Sequence, residues 1–362
     1  MNKSLSIFIF FIYGSVPWLL NFPVVSCFFY GLILIFGSSQ LLTRQPTISN
    51  VKRRAVPQDV RLTVIIPIYN EAENLPALLE NLTVNEHDRV SYLFIDDAST
   101  DNSADIIRSQ GFTVHTVPKQ KYVCDVLNIG AVLAPEASNY IGVLNGDCLI
   151  APDAMGKIME RLRWYHMDVL NMSNHILSQG VFFASLEKKF KNALSIYSEA
   201  SLTNGYFLRR TLLKEGWQSI TEDLNMTLQL KAKGLTIHQD PDIIVYDNVP
   251  KAWNVFIRQK YRWIYGDLMN RVMVPPRNLF DLIVNIYYFF PVYSLLSFLP
   301  GIPTDIVWTI QCGIILLETS LYVYYIEDIF EALLYGHFQF FFQVYFYLKL
   351  FKNWFAGENI KW

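Results

Sequence analysis

Two hydrophobic patterns alternate along this chain. Residues 5–36 carry no charge. As one helix they extend about 48 Å at 1.5 Å per residue, too long for a hydrocarbon core of about 30 Å. Gly14, Pro17 and Pro23 interrupt the run, which predicts either a short membrane hairpin or one tilted span with an interfacial extension. Residues 279–299 and 306–326 are again apolar and aromatic-rich and predict two spans. The segment 333–348 is shorter and holds His337, Gln339 and Gln343, which fits a third span or a re-entrant or interfacial stretch.

Between these ends the pattern changes. Leu62–Ile68 is a continuous apolar run of the kind shown by parallel strands buried on both faces. A helix is predicted over 72–82, a second strand over Ser91–Asp96, and a second helix capped by Asn102 or Ser103. A short strand over 113–117, a helix over 122–134 and a strand over Tyr140–Leu144 continue the alternation. Strands alternating with helices predict an open α/β sheet, which binds ligands at the carboxyl ends of its strands. The polar clusters Tyr69-Asn70-Glu71, Asp97-Ala98-Ser99-Thr100-Asp101 and Asn145-Gly146-Asp147 fall at those ends. Farther on, Lys251–Val272 predicts an amphipathic helix with Trp253, Phe256, Ile257, Tyr261, Ile264 and Leu268 as one apolar stripe. Gln259, Arg262 and Trp263 share another face. A helix lying in a membrane interface buries the first face and turns the second towards a site.

Composition sharpens this division. The chain is 52% hydrophobic and 17% charged, against about 25% charged in a soluble domain, and the shortfall lies at the two ends. The predicted organisation is a membrane segment over 1–42, a catalytic domain over 55–250 and an interface helix over 251–275. Membrane helices over 279–350 and a tail over 351–362 complete it. Arg44, Lys52, Arg53 and Arg54 follow the first apolar run and place the domain after it in the cytoplasm by the positive-inside rule. Lys349, Lys352 and Lys361 pull the same way, so three full spans would break that rule. A net charge of −2 leaves no nucleic-acid footprint. The four cysteines show no paired or metal-ligand spacing. The sequons at Asn81, Asn171 and Asn225 carry no meaning for a cytoplasmic domain.

Thr221-Glu222-Asp223, followed at this distance by Gln259-x-x-Arg262-Trp263, is a specific combination. Through it the chain resembles the family 2 glycosyltransferases over about residues 60–275. Within that family it is most similar to the membrane-embedded branch of cellulose, chitin, hyaluronan and poly-N-acetylglucosamine synthases. The resemblance implies a GT-A-type open mixed α/β sheet with N- and C-terminal transmembrane helices and an amphipathic interface helix. It also implies a UDP-sugar donor, with Tyr69 covering the base and Glu71 and Asp97 accepting hydrogen bonds from base or ribose. Asp147 occupies the metal position of the family's Asp-x-Asp motif, for Mg²⁺ or Mn²⁺ beside the diphosphate. The first aspartate of that motif is Asn145 here, which keeps a donor-side role and loses one negative charge. A Gly-Lys pair common in the family is replaced by Tyr122-Val123, with Lys119 or Lys121 as substitute cations, whereas Leu127-Asn128-x-Gly130 matches.

Inverting transfer needs one base for the acceptor hydroxyl, and Asp223, a carboxylate at a helix start, is the expected catalytic residue. The resemblance sends Arg262 to the diphosphate and Trp263 beneath the acceptor sugar, with Gln259, Glu222 and Asn204 also on the acceptor side. The expected function is metal-dependent transfer to a growing β-linked polysaccharide at the bilayer, with UDP-N-acetylglucosamine a candidate donor. A glycolipid synthase and a catalytically silent membrane subunit are the alternatives, and an accessory membrane subunit is compatible with all three.

Overall fold

A computed structural model describes residues 47–197 and 201–274, together with 331, 334, 338, 342, 344–350 and 352–353. The expected membrane segments over 1–42, 279–299 and 306–326 lie outside the described residues, as do the tail beyond 353 and much of 333–348. Among the described residues, no helix is long and apolar enough to cross a membrane. The chain divides into two compact units. One comprises Gln45–Lys188 and Leu194–Val255; the other comprises Met1–Arg44, Lys189–Ala193 and Phe256–Trp362.

The first unit is built on strands β1 (Leu62–Ile68), β2 (Val90–Asp96), β3 (Thr113–Thr116), β4 (Tyr140–Leu144), β5 (Cys148–Ile150), β6 (Val169–Ser178), β7 (Gly205–Arg209) and β8 (His238–Asn248). They form one mixed sheet in the order β3-β2-β1-β4-β7-β6-β8-β5. The β3-β2-β1-β4 half is parallel, β7 runs antiparallel to both β4 and β6, and β5 is antiparallel to β8. Its helices are α1 (Leu75–Val84), α2 (Ser103–Ser109), α3 (Val123–Leu133), α4 (Ala154–Tyr165), α5 (Phe182–Tyr197, apart from Lys189–Ala193) and α6 (Glu222–Ala232).

Strand β1 shows why a nearly unbroken apolar run suits this sheet; its one hydroxyl, on Thr63, is buried and bonded to Ser91 and Ser138 Oγ. Leu62, Val64, Ile66 and Ile68 pack with α1 and α4, through Leu78, Leu82, Met155 and Ile158. Ile65 faces the opposite core, with Leu127 of α3 and Trp217. Side chains alternate between faces with period two, so a strand covered on both faces is apolar nearly throughout.

Two local expectations shift. The helix after β1 starts at Leu75 rather than 72, because the chain first turns over Glu71 and Pro76 occupies its opening turn. Asn102 is the N-cap position of helix α2, but its side chain makes no cap bond; Asp101 Oδ1 accepts both the Ser103 amide, at 3.0 Å, and its hydroxyl, at 2.5 Å. The sequon amides are engaged within the fold. Asn81 exchanges two bonds of 2.9 Å with the Ile150 backbone, Asn171 donates to Gln239 and the Ser201 carbonyl, and Asn225 is buried.

Helix α7 (Trp253–Met273) begins in the first unit and runs into the second. The stripe predicted for lipid is partly covered by protein. Phe256 stacks on Phe338 and Tyr261 packs against Phe346, while Asn353 donates to the Tyr261 hydroxyl at 3.1 Å. Lys260 and Asn270 are as buried as Phe256. Polar side chains can take this face because Asp267 lies among Arg271, Lys191 and Lys260, and charges leave water only when paired.

Candidate active site

The parallel strands β1 and β2 end side by side, and their polar ends are tied together. The Asp97 amide donates to the Ile68 carbonyl at 2.8 Å, the Asn70 amide to Ser99 Oγ at 2.9 Å, and the Thr100 amide to Asn70 Oδ1 at 2.8 Å. Asn70 and Ala98 adopt left-handed φ values of 55° and 59°, an uncommon strain for side-chain-bearing residues that such a network sustains. Tyr69 emerges from it 43% exposed, its ring open to a flat ligand. Asp97 is buried, and its Oδ1 accepts the Lys121 amide at 2.8 Å; burial raises its pKa and that bond opposes the rise. Burial also raises Glu71, the Asn74 amide opposes it, and the negative charge of Asp147 adds to it. Lys121, expected as a substitute cation, meets Asp97 through its backbone, and its side chain is exposed.

Beyond β4 the chain passes Asn145-Gly146-Asp147. A Cβ on Gly146 would lie 2.5 Å from Ile68 Cδ1 and 3.2 Å from the Pro67 carbonyl oxygen, so a larger residue here would have to push the end of the Ile68 side chain aside. Strand β5 then pairs Cys148 opposite Asp247 of β8. Donor atoms of Asp147, Cys148 and Asp247 lie within 4.8 Å of one another. Asp247 is buried and ion-paired with Lys188 of α5, and it also accepts the Asn204 amide. Asn145 Nδ2 donates to Asn204 Oδ1 at 3.1 Å, so Asn204, expected along the acceptor, bridges the two sides of the carboxylate pair. Burial holds the Cys148 thiol well above its ordinary range. Asp147 and Asp247 offer carboxylate oxygens, donors suited to Mg²⁺ or Mn²⁺.

A short relay leads from this pair to the start of α6. Asn204 ends the loop 201–204, in which the Leu202 amide donates to Thr227 Oγ1 at 2.9 Å. That hydroxyl donates to the Asp223 carbonyl at 2.8 Å. Glu222 and Asp223 occupy the first turn of α6, and Asp223 Oδ1 accepts the Leu224 amide at 2.7 Å, as the positive end of a helix favours. The Thr221 side chain makes no cap bond. Tyr206 is fully buried, which raises its phenol, and the charges of Glu222 and Asp223 raise it further. It accepts Trp217 Nε1 at 2.7 Å. The Trp217 backbone is gripped by Asn128, which accepts its amide at 2.8 Å and donates to its carbonyl at 2.9 Å.

Gln259, Arg262 and Trp263 lie on the α7 stretch of the second unit. Lys191 Nζ stands 4.4 Å over the Trp263 ring, so one indole face is already taken by a cation. Arg262 Nε is buried and has no hydrogen-bond partner among the described residues.

Asp247 and Lys188 escaped sequence reasoning. For Asp247 a signal existed, since it continues the alternating buried positions Ile243 and Val245 of β8, where an acid is out of place unless it serves a ligand or an ion pair. Lys188 carries no such mark among the basic residues of α5.

Residues 63–221 match the family described as Glycosyl transferase family 2, and residues 146–345 match Glycosyl transferase family group 2. Among curated proteins the chain is 24% identical over 274 residues to a poly-beta-1,6-N-acetyl-D-glucosamine synthase of Staphylococcus aureus strain COL. That alignment takes in 69% of this chain and 64% of the relative, so the chain spans under two thirds of it. Among solved structures it resembles a mannosyltransferase from Pyrobaculum calidifontis in complex with GDP-Man and Mn²⁺. The TM-score is 0.55 at 16% identity, covering 88% of this chain and 97% of the other. Staphylococcus aureus TarS residues 1–349 with UDP-GlcNAc follow at a TM-score of 0.50 and 14% identity, covering 83% and 93%. These structural likenesses concern the fold.

Proposed function

Because the chain belongs to the family 2 glycosyltransferases, we propose that it moves a hexose from a UDP-sugar to a growing β-linked polysaccharide at a membrane, with inversion and with Mg²⁺ or Mn²⁺. The observation that carries this reading is the Asn145-Gly146-Asp147 turn, joined through Asn145 and the loop 201–204 to the helix start bearing Asp223. A site for the leaving diphosphate and a base for the incoming hydroxyl are thereby held on one rigid frame.

In this reading Tyr69 covers the uracil, and Glu71 and Asp97 accept from base and ribose. Asp147 would hold the cation, which would offset charge on the departing diphosphate. The Gln259-x-x-Arg262-Trp263 motif supports a role for Arg262 at the same diphosphate. Asp223 takes the proton of the acceptor hydroxyl as that oxygen bonds to the anomeric carbon and the bond to UDP breaks. The same motif supports Trp263 and Gln259 on the acceptor side, and the family resemblance reads Glu222, in the first turn of α6, there too. The likeness in fold spans both a GDP-mannose and a UDP-GlcNAc complex, so the fold leaves the donor open. The polysaccharide synthase relative favours N-acetylglucosamine. The uncharged run 5–36, its basic flank and the apolar segments after 278 support a multi-pass protein with this domain in the cytoplasm.

The test uses the full chain in lipid nanodiscs, given radiolabelled UDP-sugars with Mg²⁺ or Mn²⁺. High-mass product is expected, and Asp223→Asn is expected to lose roughly 10²–10⁴-fold in turnover while still binding UDP. Organic-extractable product of one or two sugars would move the assignment to a glycolipid synthase. Absence of turnover with every donor would leave a silent subunit.

A further inference from the structure

We propose that Asp247 is the second carboxylate of the cation site, replacing from β8 the acid that Asn145 no longer supplies. This rests on the function proposed above. Three observations lead to it. The β5–β8 register sets Asp247 opposite Cys148 and so beside Asp147, with donor atoms inside 4.8 Å. Asp247 is 7% exposed, and a buried acid in an otherwise apolar series needs a cationic partner. The amide at 145 is matched to that acid. Asn145 donates to Asn204 Oδ1, which turns the Asn204 amide nitrogen towards Asp247. An aspartate at 145 would instead demand that nitrogen for itself, and Asp247 would lose it. The charge missing from the Asp-x-Asp position thus reappears across the sheet, with Asn204 oriented to serve it.

Lys188 completes the arrangement. Its ammonium pairs with Asp247 and also donates to the Asn248 carbonyl at 3.3 Å, balancing the buried acid when no metal is bound. An arriving divalent cation competes with Lys188 for Asp247.

The experiment is Mn²⁺ titration of the full chain in nanodiscs at saturating UDP, read from loss of the free-ion paramagnetic resonance signal. UDP binding in EDTA and thermal melting check each variant's fold. Asp247→Asn is expected to weaken Mn²⁺ binding by about 10-fold or more. The double change Asp247→Asn with Lys188→Met, which leaves no stranded ammonium, should show the same loss. Adding Asn145→Asp to Asp247→Asn should recover most of the affinity, and Lys188→Met alone should tighten it. Wild-type Mn²⁺ affinity in Asp247→Asn, with affinity lost in Asp147→Asn, would overturn the assignment of Asp247 and leave the proposed function standing. Weaker Mn²⁺ binding in Lys188→Met would refute the competition. Sugar transfer by the wild type in EDTA, without Mn²⁺ binding, would remove the cation from the proposed function and this inference with it.

Discussion

Replacing Asn128 by alanine strikes the support beneath Glu222-Asp223 without touching either acid. Asn128 makes two hydrogen bonds to the backbone of Trp217, at 2.8 and 2.9 Å, and Trp217 is 2% exposed. Each buried group left without a partner costs about 1–3 kcal/mol. Allowing for partial relaxation, the variant should lose about 2–4 kcal/mol, a fall of roughly 5–10 °C in melting temperature for a unit of this size. Trp217 is also bonded to Tyr206, which senses the charges of Glu222 and Asp223, so turnover should fall roughly 10- to 100-fold while UDP binding holds. Gly216 supplies a cross-check. Its φ is +67°, and a Cβ there would sit 2.5 Å from Asn128 Oδ1. Gly216→Ala alone suffers both a left-handed strain of about 1–2 kcal/mol and that clash. In the Asn128→Ala background the clash disappears, so the double variant should be more stable than the sum of the singles by about 1–2 kcal/mol. Melting curves and turnover of the four proteins decide the matter. Strict additivity, or an Asn128→Ala protein with wild-type melting and turnover, would refute the argument.

Three further outcomes follow from the geometry. Burial lifts the Asp247 carboxyl to about 6, Lys188 working against the rise and Asp147 with it, from about 3.9 in an unfolded chain. Such an acid favours the fold below about pH 4 and loses that contribution as pH rises through 6, so in EDTA the Asp247→Asn protein should lack a decline in stability between pH 4 and 7 that the wild type shows. The Cys124 thiol is pushed up to about 11 by burial and then by Asp125; its alkylation at pH 8, followed peptide by peptide, should run about 100-fold slower than that of a free thiol, and an ordinary rate would contradict the placement. Lys191→Met should cost about 0.5–2 kcal/mol through loss of its contact with the Trp263 ring, and it should leave Asp267 with one cation fewer; unchanged melting would show the contact to be idle.

Much of this protein was legible one residue after another. Leu62–Ile68 and Tyr140–Leu144 are strands with the bounds that their apolar runs predict, because a strand covered on both faces admits little polarity anywhere along it. Tyr69, Glu71, Asp97 and Asp147 stand at strand ends for the same reason: the first polar residue after a buried run marks where the sheet meets solvent. Three features were decided elsewhere. Asp247 lies beside Asp147 only because β5 pairs with β8, Asn204 joins Asn145 to Asp247 only through a loop between elements far apart in the chain, and α7 buries Lys260 rather than a purely apolar stripe because oppositely charged neighbours surround Asp267. Local hydrophobic periodicity reports which face of an element avoids water. It is silent on which distant side chain meets that face, because that depends on strand order and register, which are set by the packing of the whole sheet.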